Sequence, residues 1–446
     1  MKYLVTGAAG FVGSHLTDAL IARGHRVVGL DNLSSGQERF LEAACQSDRF
    51  TFVRGDILDP DVLRRAIEDV DAVYHMAANA DVRGSFASPR TDLEQNTLGT
   101  FEVLESMREA GVKRIVFASS AAALGEPDVF PTPENCPVPA QTSLYGASKM
   151  ACEGLLAAYC EGYGFEGRSF RFVSLLGPRY AHGHVFDFVK QLLSDRTQLQ
   201  ILGDGSQRKS YLHVEDCVRA LVDICDHAGP AVDDRRYGVY HLGVPAFCLV
   251  HESARWICDE MGVSPHLQYG TGNRGWIGDS PFVFLDVRKA MSTGWAPRHS
   301  IEASVRETVR WLLDNQWIFD RRQCRRSKLR FSPGGPAHDL NHGRAPCRNL
   351  WSRSWARRCS STNLRSADNM VSSGSCCWSI TPMSRFGRIS ETAPRTAFRS
   401  ATLGKRAPEE PQAHCMTPCR TCSRRSSYFT ATPISTWTSA ECGMRT

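Results

Sequence analysis

Two side chains near the middle of this 446-residue sequence have the types and spacing for proton chemistry. Tyr145 and Lys149 stand four apart in Tyr145-Gly-Ala-Ser-Lys149, so on a helix they share one face. An ammonium beside a phenol favours the phenolate and lowers a pKa that is about 10 when unperturbed. Such a pair can take the proton of a substrate hydroxyl while a hydride leaves the same carbon. In isolation the pentapeptide is more often a helical aromatic beside a solvated lysine. Here it follows a Ser-Ser end of the apolar run Arg114-Ile-Val-Phe-Ala-Ser-Ser120, the fifth strand of a nucleotide-binding pattern, and that context favours chemistry.

A hydride needs an acceptor, and the N-terminal residues carry the pattern that holds one. Tyr3-Leu-Val-Thr-Gly7-Ala-Ala-Gly10-Phe11-Val12-Gly13 reads as a strand breaking into a glycine turn. A helix follows, with Leu16, Leu20 and Ile21 on one face and Gly24 placed to end it. Glycines let the backbone approach a pyrophosphate, and the free N–H groups of a helix start point at it. The next run, Arg26-Val-Val-Gly-Leu30, ends in Asp31, about twenty residues beyond the turn, where an acid can hold the adenosine ribose hydroxyls. An acid there repels a 2′-phosphate, which selects NAD over NADP.

The remaining elements keep the same rhythm. A polar turn, Asn32-Leu-Ser-Ser35-Gly36, precedes the strand Phe50-Thr-Phe-Val53 and then Gly55-Asp56-Ile57. Asp56 either sits over the adenine amino group or caps the short helix over residues 61–68. Ala72-Val-Tyr-His-Met-Ala77-Ala78 is a buried strand whose small alanines let a dinucleotide lie across its end. Residues 89–110 read as one long amphipathic helix carrying Asn96 near its first turns. Strands alternating with helices predict an α/β fold, a doubly wound parallel sheet covered on both faces. Ligands of such sheets bind at the carboxyl ends of the strands, where the glycine turn, Asp31, Asp56, Ala77-Ala78 and Ser119-Ser120 all fall.

The net charge of +6 hides two different materials. After Asp320 there are 20 Arg and 2 Lys against 6 acidic residues, a balance of +16. The preceding residues hold 31 basic and 41 acidic side chains, a balance of −10, typical of an ordinary soluble protein. No apolar run reaches the ~18–20 residues of a membrane span. A strand beginning at Lys2-Tyr3, in place of a charged lead and apolar core, gives the expectation of a cytoplasmic protein with no membrane partner. The eight cysteines before Asp320 are scattered and read as core or surface residues, not as a disulfide frame or metal site. Residues 321–446 are rich in Arg, Ser, Thr, Pro and Cys without a sustained apolar period. They are read as a tail translated out of frame, with an unfolded basic extension as the alternative. Cys415, Cys419 and Cys422 have the spacing of an iron–sulfur site, but such a cluster needs a barrel around it and only some two dozen residues follow. The tail's charge offers nonspecific contact with nucleic acid and no specific nucleic-acid partner.

Taken together, these motifs resemble the extended short-chain dehydrogenases/reductases of the nucleotide-sugar epimerase and dehydratase group. The matching features are Thr6-Gly-Ala-Ala-Gly-Phe-Val-Gly13, Leu30-Asp-Asn-Leu33, Gly55-Asp-Ile57, His75-Met-Ala-Ala78, Asn96, Phe117-Ala-Ser-Ser120, Tyr145-Gly-Ala-Ser-Lys149, Arg171-Phe172 and Gly177-Pro-Arg179. The resemblance runs from Met1 to about Phe319. It implies a Rossmann domain over residues 1–176 and a smaller α+β substrate domain over 177–320, with the chain returning to the first around 212–245. It further implies that Tyr145 is the acid/base, that Lys149 holds the nicotinamide ribose, that Ser120 bonds the reacting hydroxyl and that Asn96 orders the site. NAD would be held by Gly7, Gly10, Phe11, Val12, Gly13, Asp31, Asn32, Ser35, Gly36, Asp56, Ile57, Ala77, Ala78, Asn96, Lys149 and Val173.

The stretch after Ser120 discriminates between members of the group. Relatives that eliminate water across C5–C6 carry an Asp-Glu pair there, and decarboxylating relatives a Glu. Ala121, Ala122 and Ala123 cannot move a proton. What remains is oxidation at C4, rotation of the 4-keto sugar and return of hydride to the other face, a 4-epimerisation of a UDP-hexose or UDP-hexuronate. Leu124 stands where the group commonly has Tyr. On the substrate side the resemblance implies Ser120, Ser174, Arg179, Lys209 and Arg274, with Lys209 in place of the usual arginine and so without a bidentate fork. His182 and His184 read as turn or substrate-lip residues, and no metal is expected. The resemblance implies a homodimer through helices over residues 96–110 and 147–163. The rival readings are a 4-keto-sugar reductase or secondary-alcohol dehydrogenase, and a non-catalytic NAD(H)-binding sensor.

Overall fold

The first apolar run forms β1 (Lys2–Thr6), and its neighbours along the strand face opposite layers. Tyr3 and Val5 join one buried cluster and Leu4 another, so the strand is apolar throughout instead of alternating, as a strand covered on both faces must be. The glycine turn leads into α1 (Phe11–Ala22), which buries Leu16 and Leu20 and gives way to Gly24 at φ +83°. The computed structural model describes residues 1–137, 140–227 and 236–320, and the expectations placed on 321–446 lie outside them.

The chain continues through β2 (Arg26–Asp31), β3 (Phe50–Arg54), α2 (Pro60–Ala66) and β4 (Ala72–His75). Asp59 caps α2, its carboxylate accepting from the N–H groups of Asp61 and Val62 at 3.0 and 3.3 Å. The cap reading of Asp56 is thereby corrected. Asp56 instead accepts from Leu58 N and from Asn32 Nδ2, which ties the ends of β3 and β2 together.

Residues 89–110, read from the sequence as one helix, comprise α3 (Pro89–Asp92), a π-helical turn at Leu93–Leu98 and α4 (Gly99–Ala110). A π turn inserts one residue into the helical repeat, and a 3.6-residue pattern cannot register it. Asn96 is buried by this turn while Leu93 and Leu98 face outward.

After β5 (Arg114–Ser120), α5 (Leu144–Tyr163), β6 (Glu166–Phe172) and β7 (Ser174–Leu176) come five further elements. They are α6 (His184–Ser194), β8 (Gln198–Ile201), β9 (Arg208–Lys209), β10 (Tyr211–His213) and α7 (Val214–His227). β11 (Tyr237–Leu242) returns to pair with β6. β12 (Cys248–Leu249), α8 (Val250–Met261), β13 (His266–Tyr269), β14 (Phe282–Val283), α9 (Arg288–Met291), α10 (Ile301–Asp314) and α11 (Trp317–Asp320) complete the described chain.

The main sheet has seven strands in the order β3-β2-β1-β4-β5-β6-β11, all parallel. Strand order reverses between β1 and β4, and a doubly wound sheet opens its ligand crevice at that point. Smaller pairings join β7 with β10, β8 with β13, and β9 with both β12 and β14. Among the described residues no helix is long and apolar enough to cross a membrane.

Candidate active site

The glycine turn lies at the switch point and is crowded to the limit of the backbone. Gly7 has φ +69°, and a Cβ built on Gly13 would lie 2.0 Å from the Gly7 carbonyl oxygen. Helix α1 can start this close to β1 only because those positions lack side chains. Gly10, the N-cap of α1, supplies no side-chain acceptor, so the N–H groups of Phe11, Val12 and Gly13 are the helix's orphan donors. Asp31, at the end of β2, is buried. Its Oδ2 accepts from Ala9 N at 3.0 Å and its Oδ1 from Leu33 N at 2.7 Å. Burial raises its pKa against the lowering effect of those two bonds. Gly36 packs on the same carboxylate, Ile57 is buried, and Ser35 is exposed. Ala77 and Ala78, just past β4, are half-buried, with Ala77 N donating to Thr6 Oγ1 at 3.2 Å. A cradle that any Cβ would fill, an uncapped helix start and a carboxylate one strand away fit a dinucleotide.

Two strands along the carboxyl edge lie the residues expected to carry proton chemistry. Ser143 caps α5 by accepting from Gly146 N at 3.0 Å, which sets Tyr145 on the first turn. Ser120 ends β5 and accepts from Ala122 N at 3.2 Å, and its hydroxyl lies near enough to the Tyr145 phenol to lower the phenol's pKa. Lys149 is buried, with Nζ donating to Ala118 O at 2.8 Å and lying 4.8 Å from the Phe117 ring centroid. The net shift of the Tyr145 phenol runs opposite to the lowered pKa expected from the sequence. Burial pushes the phenol up to about 12, with the Ser120 hydrogen bond the opposing effect. Desolvation is the largest effect on the phenol, and burial also lowers the pKa of Lys149, whose Nζ donates to a carbonyl 31 residues away in sequence.

Beneath these groups lies polar machinery that spacing alone did not disclose. Asn96 donates to Ser148 Oγ at 2.9 Å and accepts from Asn79 N at 2.8 Å. Asp92, buried, accepts from Asn79 Nδ2 at 2.8 Å and Asn96 Nδ2 at 3.3 Å. His75 is locked between Thr6 Oγ1 at 2.7 Å and Thr100 Oγ1 at 3.0 Å, and burial lowers its pKa to about 3. Ser119 donates to Glu153, which holds Arg171 through Nε at 2.8 Å and Nη2 at 2.6 Å in a buried bidentate pair. Arg171-Phe172 and His75 appeared in the sequence as motif members, but Asp92, Asn79 and Glu153 carried no local signal.

Val173, expected at the cofactor, is buried, and Ser174, expected at the substrate, opens β7 and is exposed. Lys209 Nζ donates to Asp279 Oδ1 at 2.7 Å. Arg274 pairs with both oxygens of Glu126 and donates to Asp279 O at 2.6 Å. Both cations expected at a diphosphate thus meet in one loop region, each already facing a carboxylate. Arg179 is held elsewhere: it donates to Asp18 of α1 at 2.7 Å from a backbone at φ +65°. Residues 121–124 form a short turn in which Ala123 and Leu124 are buried. His184 is bonded to Ser253 Oγ at 2.7 Å. Among the described residues, His213, Glu215 and His299 bring ligand atoms within 4.8 Å of one another. The two imidazoles stack face to face, centroids 4.0 Å apart at 27°, so their in-plane lone pairs do not converge on one ion.

Comparison with known proteins places this arrangement. Residues 3–241 match the NAD dependent epimerase/dehydratase family. A UDP-glucose 4-epimerase of Mycolicibacterium smegmatis is 36% identical over 317 residues, covering 69% of this chain and 97% of that protein. A crystal structure of UDP-glucose 4-epimerase from Thermotoga maritima with UDP-glucose superposes with TM-score 0.63 at 30% identity, covering 71% of this chain and all of the other. A dTDP-glucose 4,6-dehydratase from Streptomyces venezuelae with NAD bound superposes with TM-score 0.64 at 28% identity, covering 71% and 98%.

Proposed function

The chain belongs to the NAD dependent epimerase/dehydratase family, and from that premise we propose that it inverts C4 of a UDP-hexose or UDP-hexuronate. NAD is the cofactor of this family, and when bound it supplies a hydride acceptor. The observation that carries the choice of reaction is the contact between Ser120 and Tyr145, followed by a turn of three alanines. Tyr145 exchanges a proton with the C4 hydroxyl, and Ser120 bonds the same oxygen as its charge changes. Lys149 stands beside them, its Nζ 5.9 Å from the Tyr145 ring centroid. Elimination or decarboxylation needs a further proton-moving group after Ser120, and the next carboxylate along the chain, Glu126, is bound to Arg274.

Ser174, Lys209 and Arg274 are assigned to the nucleotide sugar, and Arg179, engaged by Asp18, is left out. The division into an NAD-binding part over residues 1–176 and a substrate part over 177–320 is kept with this reading, as is a cytoplasmic location. Exposed Leu93, Leu98, Phe101 and Tyr163 on α4, α5 and the π turn support a homodimer through those helices. A sedimentation mass equal to one chain would rule it out.

The test is incubation of the protein with a panel of UDP- and dTDP-sugars, with products separated by chromatography. The expected result is a C4 epimer with no net absorbance change at the nicotinamide band. A reductase would consume NAD(P)H in proportion to product. Tyr145→Phe should lower turnover by about 10²–10⁴-fold while NAD stays bound. An unchanged Tyr145→Phe protein would point to a sensor instead.

A further inference from the structure

Asp92 is a buried carboxylate at the head of the π turn, only 1% exposed, and the reaction above gives it no part. One of its oxygens, Oδ1, gathers Asn79 Nδ2 and Asn96 Nδ2. The other, Oδ2, is buried without a hydrogen-bond partner. Through Asn96 the connection continues to Ser148 Oγ at 2.9 Å, and from there to the main-chain carbonyl of Tyr145 at 2.8 Å. Asn79 follows Ala77-Ala78 at the exit of β4. One carboxylate therefore joins the strand end assigned to the dinucleotide to the helical turn that carries Tyr145.

Building an unpaired acceptor into a protein interior costs stability, and more so for a charged group. The groups facing Tyr145 and Lys149 show why a charge is useful here. Glu153 is bound to Arg171, burial raises the pKa of the Cys152 thiol, His75 has its pKa lowered to about 3, and Ser120 is uncharged. We propose that Asp92 is a positioning residue of the proton transfer, holding the β4 exit against the Tyr145 turn through Oδ1 while its buried, unpartnered Oδ2 leaves the carboxylate's charge to act on the Tyr145–Lys149 pair. This rests on the reading of Tyr145 as the acid/base.

The direction of the effect is fixed by sign. A negative charge on Asp92 opposes the phenolate and favours the ammonium, raising the pKa of both Tyr145 and Lys149. Removing that charge must move both titrations to lower pH. A side chain that only held the fold together would lower activity without moving either.

The experiment uses the full chain loaded with NAD, as wild type, Asp92→Asn and Asp92→Glu. Each is paired with its Tyr145→Phe counterpart, so that the difference absorption of phenolate reports Tyr145 alone. Stopped-flow jumps to pH 11 are read within milliseconds, before unfolding. In Asp92→Asn the Tyr145 midpoint should fall by about one pH unit, raising the phenolate signal at pH 11 about fivefold. Asp92→Glu, which keeps the charge, should stay near wild type. If Asp92→Asn does not fold, Asp92→Ser removes the charge and serves in its place. A signal unchanged by loss of the charge overturns the proposal. This readout needs no substrate, so a protein that epimerises no sugar in the panel would sink the proposed function and leave the role of Asp92 decided by the titration. With an active substrate, both limbs of the pH–kcat profile should move down together; limbs that stay fixed while kcat falls would also overturn it.

Discussion

Replacing Gly146 by Ala tests whether the seating of α5 against the end of β5 sets the rate. A Cβ built at Gly146 lies 2.4 Å from Ala122 O, 2.7 Å from Gln141 Oε1 and 3.0 Å from Ser143 Oγ. Gln141 can swing aside, but Ala122 O belongs to the backbone of the turn that follows Ser120. Opening that contact to an ordinary carbon–oxygen separation requires the first turn of α5 to retreat by about 0.6–1 Å. Tyr145 moves with that turn and Ser120 does not. Misplacement by about 1 Å costs on the order of 10²-fold in rate, or about 2.7 kcal/mol of barrier. The glycine turn and Asp31 lie across the sheet and are untouched, so NAD retention should match wild type. The assay is kcat on the epimerised sugar under saturating substrate, with bound NAD quantified in the same preparation. Gly154→Ala is the control. It lies in the same helix, is exposed, and its Cβ would meet nothing within 4 Å. That change should leave kcat alone and stabilise the helix by about 0.5–1 kcal/mol. If Gly146→Ala keeps wild-type kcat with full NAD, the seating of this turn does not limit the chemistry and the reasoning is wrong.

Two further predictions concern the buried polar layer under the site. Glu153→Ala strands Arg171 without its bidentate partner in a buried setting, and chemical denaturation should show a loss of about 3–5 kcal/mol. A loss below about 1 kcal/mol would mean the guanidinium finds other partners. His75 is neutral in the folded protein down to about pH 3, whereas the unfolded chain takes up its proton near pH 6.5. Stability linked to His75 is therefore complete above about pH 6.5 and lost as pH falls from there toward 3, because the unfolded state binds more protons. His75→Asn should make stability fall less steeply between pH 6 and 4, by about 1.4 kcal/mol per pH unit. Equal slopes in both proteins would show that His75 is protonated in the fold.

Much of the fold was legible in the residues because the signals are local. The run Tyr3 to Thr6, the three glycines and Asp31 each announce their own element within a few residues, and the alternation of strand and helix leaves the doubly wound parallel sheet as its solution. The helical spacing of Tyr145 and Lys149 is of the same kind. Apolar periodicity, however, reports only which face is buried. It could not show that Leu93–Leu98 is a π turn, or that Asp59 and not Asp56 caps α2.

The sequence by itself determined the crevice at the carboxyl edge and the residue types that reach it. Only the tertiary structure decided which charges those residues meet. Asp92 with Asn79, Glu153 with Arg171, Arg274 with Glu126, Lys209 with Asp279 and Arg179 with Asp18 join residues 13 to 161 positions apart. Such partners depend on how elements cross, which no local spacing encodes. The Tyr145 phenol follows the same rule. Its neighbour four residues on argued for a low pKa, and the surrounding protein raised it, because the loss of water around a buried phenol is the largest effect on it.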